Sequence, residues 1–139
     1  MYKLGYTAGV FDLFHIGHLN VVRRAKENCE RLVVGVTTDE LVFRLKGKYP
    51  IIPFEERIDI VRNIKCVDDV YAEATDDKFD ALNDLGFDVT FKGDDWKGTP
   101  KWLALEKEFA ARGVSVVYFP YTQQTSSTKI REIINHFNM

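Results

Sequence analysis

The sequence predicts an α/β architecture, with a doubly wound, mostly parallel five-stranded sheet and helices on both faces. Three observations lead there. Short apolar runs of strand length alternate with stretches of helical apolar spacing along the whole chain. The run Leu32-Val33-Val34-Gly35-Val36 is apolar without alternation, as in a strand covered on both faces. Polar clusters fall where the strands end, which is where ligands sit in open α/β sheets. The pattern is Rossmann-like.

Each element has its own warrant. Leu4 to Ala8 reads as the first strand, closed by Gly9. From Gly17 onward, Leu19, Val22 and Ala25 recur at helical spacing and predict a helix to about Asn28. After the strand from Leu32 to Val36, Thr37-Thr38-Asp39-Glu40 supplies residues that start a short helix. Arg44-Leu45-Lys46-Gly47-Lys48-Tyr49-Pro50 breaks the periodicity and predicts a mobile basic loop. Phe54 to Arg62 is amphipathic and acidic at its start, hence helical. Val67 to Tyr71 is the third strand, and Phe79 to Leu85 a helix stopped by Gly86. Val89 to Lys92 is the fourth strand; Trp102 to Arg112 is a helix followed by Gly113; Val114 to Phe119 is the fifth strand. Ser126-Ser127-Thr128, all N-cap types, precede Ile130, Ile133 and Ile134 and predict a final helix.

With 139 residues and no internal repeat, low-complexity segment or linker, the expectation is one domain spanning 1–139. A net charge of -2 argues against the broad basic surface of a nucleic-acid binder, while leaving room for a local lysine-lined cleft. Cys29 and Cys66 have no metal-ligand spacing and read as reduced thiols. No apolar run is long enough to span a bilayer, and the first residues lack a signal-peptide pattern. The expected setting is cytoplasmic, without a membrane partner.

The stretch Gly9-Val10-Phe11-Asp12-Leu13-Phe14-His15-Ile16-Gly17-His18 places two of the three histidines at a strand-to-helix turn. Helix N-termini attract anions because their first amides lack intrahelical partners and the helix dipole is positive there. Imidazoles at such a turn can donate hydrogen bonds to charge building on a transferring phosphoryl or nucleotidyl group. No third soft ligand stands at zinc spacing, so no dedicated protein metal site is expected. Lys46 and Lys48 are either solvated charge or movable point charges that fold over a phosphate. Asp94 and Asp95 are either turn carboxylates or oxygen ligands for Mg2+ beside substrate phosphates. The hydroxyls and free amides around Ser126, Ser127 and Thr128 cap a helix and suit phosphate binding as well.

On these residues the chain resembles the HxGH nucleotidyltransferases, a superfamily of cytidylyltransferases, pantetheine-phosphate adenylyltransferase and class I aminoacyl-tRNA synthetases. Within it the likeness is greatest to the glycerol-3-phosphate cytidylyltransferases, which make CDP-glycerol for teichoic acids. It covers nearly the whole length and includes Thr37-Thr38-Asp39-Glu40, Val67-Asp68-Asp69-Val70, Gly93-Asp94-Asp95-Trp96-Lys97-Gly98 and Ser126-Ser127-Thr128-Lys129-Ile130. The resemblance implies transfer of CMP from CTP to a phosphorylated small alcohol, with glycerol 3-phosphate as first choice, for cell-wall or capsule precursors. It implies Mg2+ arriving with CTP, and a homodimer. His15, His18 and Lys46 would be catalytic. Gly9, Val10, Phe11, Asp12, Lys48, Gly93, Asp95, Trp96, Thr122, Ser126, Ser127 and Thr128 would bind CTP. Lys46 and Lys78 would hold the acceptor phosphate, and Asp39, with Asp12, would orient the polar network. The Gly-Asp-Asp-Trp element favours cytidylyl over adenylyl transfer.

The chain departs from the family's Arg-Thr-Glu-Gly-Ile-Ser-Thr pattern, with Tyr121 for the arginine, Gln123 for the glutamate and Gln124 for the glycine. Lys65 stands where arginine is common. Tyrosine cannot replace a bidentate guanidinium. The acceptor is therefore open: glycerol 3-phosphate or another capsule precursor phosphate. An adenylyltransferase of the sugar-phosphate or pantetheine-phosphate kind and a catalytically silent nucleotide-binding module are the other readings.

Overall fold

The computed structural model describes residues 1–120 and 127–137. Its centre is β1 (Tyr2–Gly9), paired on one side with β2 (Cys29–Thr37) and on the other with β4 (Val89–Gly93). The edges are β3 (Asp69–Glu73) beside β2, and β5 (Ser115–Phe119) beside β4. The order is β3-β2-β1-β4-β5 and, among the described residues, every pairing is parallel, so the expected Rossmann-like sheet is realised. The chain winds outward from β1 in one direction and then, at β4, in the other. The switch point lies between the ends of β1 and β4.

Side-chain alternation divides the core in two. Leu32, Val34 and Val36 of β2 face one side, with Val22 and Ala25 of α1 (Ile16–Glu27) and Val61 of α3 (Phe54–Arg62). Val33 and Tyr6 face the other, with Ala81 of α4 (Lys78–Leu85) and Phe109 of α5 (Pro100–Ala111). A residue such as Val22 or Val34, with no exposed surface, contributes about 1.5–3 kcal/mol by burial. Both faces of the sheet are covered, which is why β2 carries no polar alternation.

Three expectations need correction. Arg44 to Lys46 are not loop; they complete α2 (Asp39–Lys46), which starts at the Thr38 cap and ends at Gly47 in the left-handed region (φ 75°). Exposed Phe43 and Leu45 blurred its apolar stripe, which is carried by Leu41 and Val42. The third strand starts at Asp69, because Asp68 uses its carboxylate to accept from the Leu32 amide (2.7 Å) and from Lys26. Helix α5 begins at Pro100, two residues early. Proline suits a first helical turn, and the Thr99 hydroxyl accepts from the Trp102 amide (3.4 Å). The last helix, α6, spans Ser127–Phe137.

Candidate active site

The histidine turn is built as a reciprocal cap. His15 is the N-cap of α1, and its Nδ1 accepts from the Gly17 amide (3.0 Å). His18, three residues on, accepts from the His15 amide through its own Nδ1 (3.2 Å). This is the logic of a capping box with imidazoles in both roles. Since each Nδ1 is an acceptor, the proton of each neutral ring sits on Nε2. The rings stack at 4.0 Å between centres, and Phe11 and Phe14 pack against His18. Burial, helped by the neighbouring His15, brings the His18 pKa down to about 4, and burial also lowers His15. At neutral pH the turn presents two uncharged Nε2–H donors.

Upstream, Phe11 and Leu13 adopt left-handed backbone (φ 54° and 52°), which costs non-glycine residues about 1–3 kcal/mol each. The strain is held by what lies between them. Asp12 is 2 % exposed, and its carboxylate accepts from the amides of Ile51 (2.8 Å) and Ile52 (2.9 Å) and from Arg131. Burial alone would raise its pKa; those donors outweigh burial and keep it below the ordinary carboxylate value. Ser127 Oγ, at the start of α6, donates to the Asp12 carbonyl (2.6 Å).

A second buried hub is Arg57, 1 % exposed. It donates to the carbonyls of Ile52 (2.8 Å), Val10 (2.6 Å) and Thr37 (2.8 Å), and to Asp39 Oδ1 (2.7 Å). Asp39 also accepts from the Phe54 amide (3.2 Å). Asp39 thus shares its carboxylate between the Phe54 amide and Arg57, a partner the sequence reading overlooked.

At the switch point lies a cleft of about 450 Å3. The structure brings to it the predicted Gly9, Val10, Phe11, Asp12, His18, Lys46, Gly93, Asp95, Trp96, Ser127 and Thr128. Asp12 comes to the lining with its carboxylate already engaged. At Gly93 a Cβ would lie 2.7 Å from Asp95 Oδ1, so a larger residue there would push that exposed side chain aside. His15 reaches the site through its stack on His18. Lys48, exposed beyond α2, does not line the cleft, and Lys78 lines a separate adjoining cavity. Thr122 and Ser126, with the departures at Tyr121, Gln123 and Gln124, lie outside the described residues.

Two charged lining residues, Lys92 and Arg131, were missed. Arg131 stands four residues after Ser127, on the same helix face, so helical spacing could have revealed it. Its Nε is buried without a hydrogen-bond partner among the described residues. Lys92, next to last in β4, has Nζ 5.0 Å from the Trp96 ring centre and 5.4 Å from that of Trp102. Nothing in the sequence said which face of β4 it would take.

The Cytidylyltransferase-like family matches residues 6–133, and the chain belongs to it. It is 38% identical over 129 residues to the glycerol-3-phosphate cytidylyltransferase of Bacillus subtilis strain 168, covering 92% of this chain and 94% of that protein. It is 34% identical over 129 residues to the FAD synthase of Pyrococcus abyssi, covering 92% and 87%. It is 38% identical to the bifunctional protein HldE of Hyphomonas neptunium over 92% of this chain, but spans only 26% of that longer relative. Among solved structures, a lipopolysaccharide core biosynthesis protein from Thermoplasma volcanium shares the fold, with a TM-score of 0.74, 24% identity, and coverage of 90% of this chain and 100% of that one.

Proposed function

We propose that the protein transfers CMP from CTP to a small phosphorylated alcohol, with glycerol 3-phosphate the first candidate, releasing pyrophosphate. The observation that carries this is the pair of stacked, neutral imidazoles at a helix start, with His18 lining one cleft together with Lys46, Arg131, Ser127 and Thr128. An oxygen of the ionised acceptor phosphate attacks the α-phosphorus in line, and the bond to the bridging oxygen of the β-phosphate breaks. No general base is required. The Nε2–H groups donate to α-phosphate oxygens as charge shifts, while Lys46 and Arg131 attract the phosphates. The α6 N-terminus, with Ser127 and Thr128, suits the distal phosphates. Positioning and electrostatics account for the rate.

Among the described residues no three His, Cys, Asp or Glu side chains are grouped to hold a metal. Mg2+ accompanying the nucleotide supplies charge neutralisation on the triphosphate. Resemblance to the glycerol-3-phosphate cytidylyltransferases supports a cytoplasmic homodimer serving cell-wall or capsule precursors.

The test offers CTP, ATP, GTP and UTP with a panel of polyol and sugar phosphates while pyrophosphate is monitored. CTP with a polyol phosphate is the expected pair. Preference for ATP would overturn the cytidylyl assignment, and nucleotide binding without turnover would identify a silent module.

A further inference from the structure

Beside the nucleotide cleft, and sharing Ala8, Phe91 and Lys92 with it, lies a small cavity of about 30 Å3 on the α4 and α5 side of the sheet. It has room for about two water-sized groups. Its walls are Tyr6, Phe87 and Trp102, and its polar lining includes Glu73, Lys78 and Lys92. Glu73 ends β3 and is 8 % exposed, yet the one hydrogen bond its carboxylate accepts among the described residues comes from Tyr6 Oη at a long 3.5 Å. A carboxylate offers about four acceptor positions, and buried ones are ordinarily filled. No lysine or arginine among the described residues makes an ion-pair contact with it, although Lys78 and Lys92 are the cations whose field it feels.

Lys92 is the complementary case. Two indoles flank its ammonium, and no carboxylate among the described residues pairs with it. Burial, with Lys78 adding to it, lowers its pKa. An ammonium that pairs with no described carboxylate thus lines both the nucleotide cleft and the cavity that holds Glu73. Two cations face one anion, so the cavity is net positive.

We propose that this cavity receives the hydroxyl-bearing end of the acceptor, Glu73 accepting from its hydroxyls while Lys92 and Lys78 exclude cationic head groups. This rests on the transferase reading above and names its substrate class: a short, neutral-headed polyol phosphate, not an amino-alcohol phosphate. Glu73 and Lys92 set specificity, and the acceptor phosphate points past Lys92 toward the histidine turn. Hydroxyls left without their partner in a buried site cost more than a lost contact, because the site's own polar groups stay unpaired.

The experiment compares glycerol 3-phosphate with phosphoethanolamine in steady-state assays of the wild type, Glu73→Gln and Lys92→Met. The wild type should favour glycerol 3-phosphate about 100-fold or more in kcat/KM, a ratio typical of buried polar and charge discrimination. Glu73→Gln should raise the glycerol 3-phosphate KM about tenfold and leave the CTP KM unchanged. Lys92→Met should narrow the preference about tenfold. Equal use of both acceptors by the wild type, or wild-type KM and preference in both variants, would overturn the proposal. Should Glu73→Gln fail to fold, Lys92→Met decides alone. Product with ATP but not CTP would sink the cytidylyl reading and leave the acceptor comparison to be made with ATP. No product with any nucleotide would sink both.

Discussion

The carboxylate of Asp12, in the turn after β1, accepts a hydrogen bond from the guanidinium of Arg131 in α6, 119 residues further along the chain. The same carboxylate holds the amides of Ile51 and Ile52. One buried acid thus fastens the histidine turn, the loop before α3 and the last helix to each other. Removing one partner leaves the other's charge buried and uncompensated. Asp12→Asn and Arg131→Met should each cost about 3 kcal/mol in urea unfolding. The double variant should cost clearly less than their sum, since the two residues share one interaction. Strict additivity would show that the pair is not coupled.

Arg57 ties three carbonyls and Asp39 with one guanidinium. Lysine can supply the charge but not the planar fork. Both Arg57→Lys and Arg57→Met should lose about 3–5 kcal/mol, because carbonyls and a carboxylate remain unpaired. Recovery of wild-type stability by lysine would mean that charge alone matters there.

His18 makes stability depend on pH in a definite direction. Its folded pKa, about 4, lies below the ordinary 6.5, so the unfolded chain binds its proton first as pH falls. The contribution is fully present above pH 6.5 and is lost progressively down to about pH 4, up to about 3 kcal/mol. Below that the folded form binds the proton too. Subtracting the unfolding profile of His18→Asn from that of the wild type isolates the effect from the carboxylates. A flat difference between pH 4 and 6.5 would contradict the burial of this ring. The same substitution should lower turnover by about 100-fold or more, the scale of losing one preorganised donor.

Gly35 in β2 faces Tyr6, and a Cβ there would lie 1.9 Å from Tyr6 Oη. Gly35→Ala should destabilise the chain by about 1–3 kcal/mol, the usual range for overpacking. It should also weaken acceptor binding, because displacing Tyr6 disturbs its contact with Glu73. Thermal unfolding and acceptor KM measured on one preparation test both effects.

The sequence by itself determined the alternation of strands and helices, because apolar periodicity and helix-stopping glycines are local signals. It also marked the histidine turn, since two imidazoles around Gly17 at a strand end form an unusual cluster within ten residues. Arg57 left a trace as well, a charge on the apolar stripe of α3 beside Ile58 and Val61. The tertiary structure alone decided what such charges meet. Asp12 read as a nucleotide contact and as part of an orienting network, but the groups its carboxylate meets, Ile51, Ile52 and Arg131, lie 39, 40 and 119 positions away. Lys92 and Glu73 lie at the C-terminal ends of two strands that are not neighbours in the sheet, so no spacing along the chain announces that they share a cavity. Local pattern is written in residue spacing. Which polar groups face one another depends on strand order, and strand order is settled only when the sheet assembles.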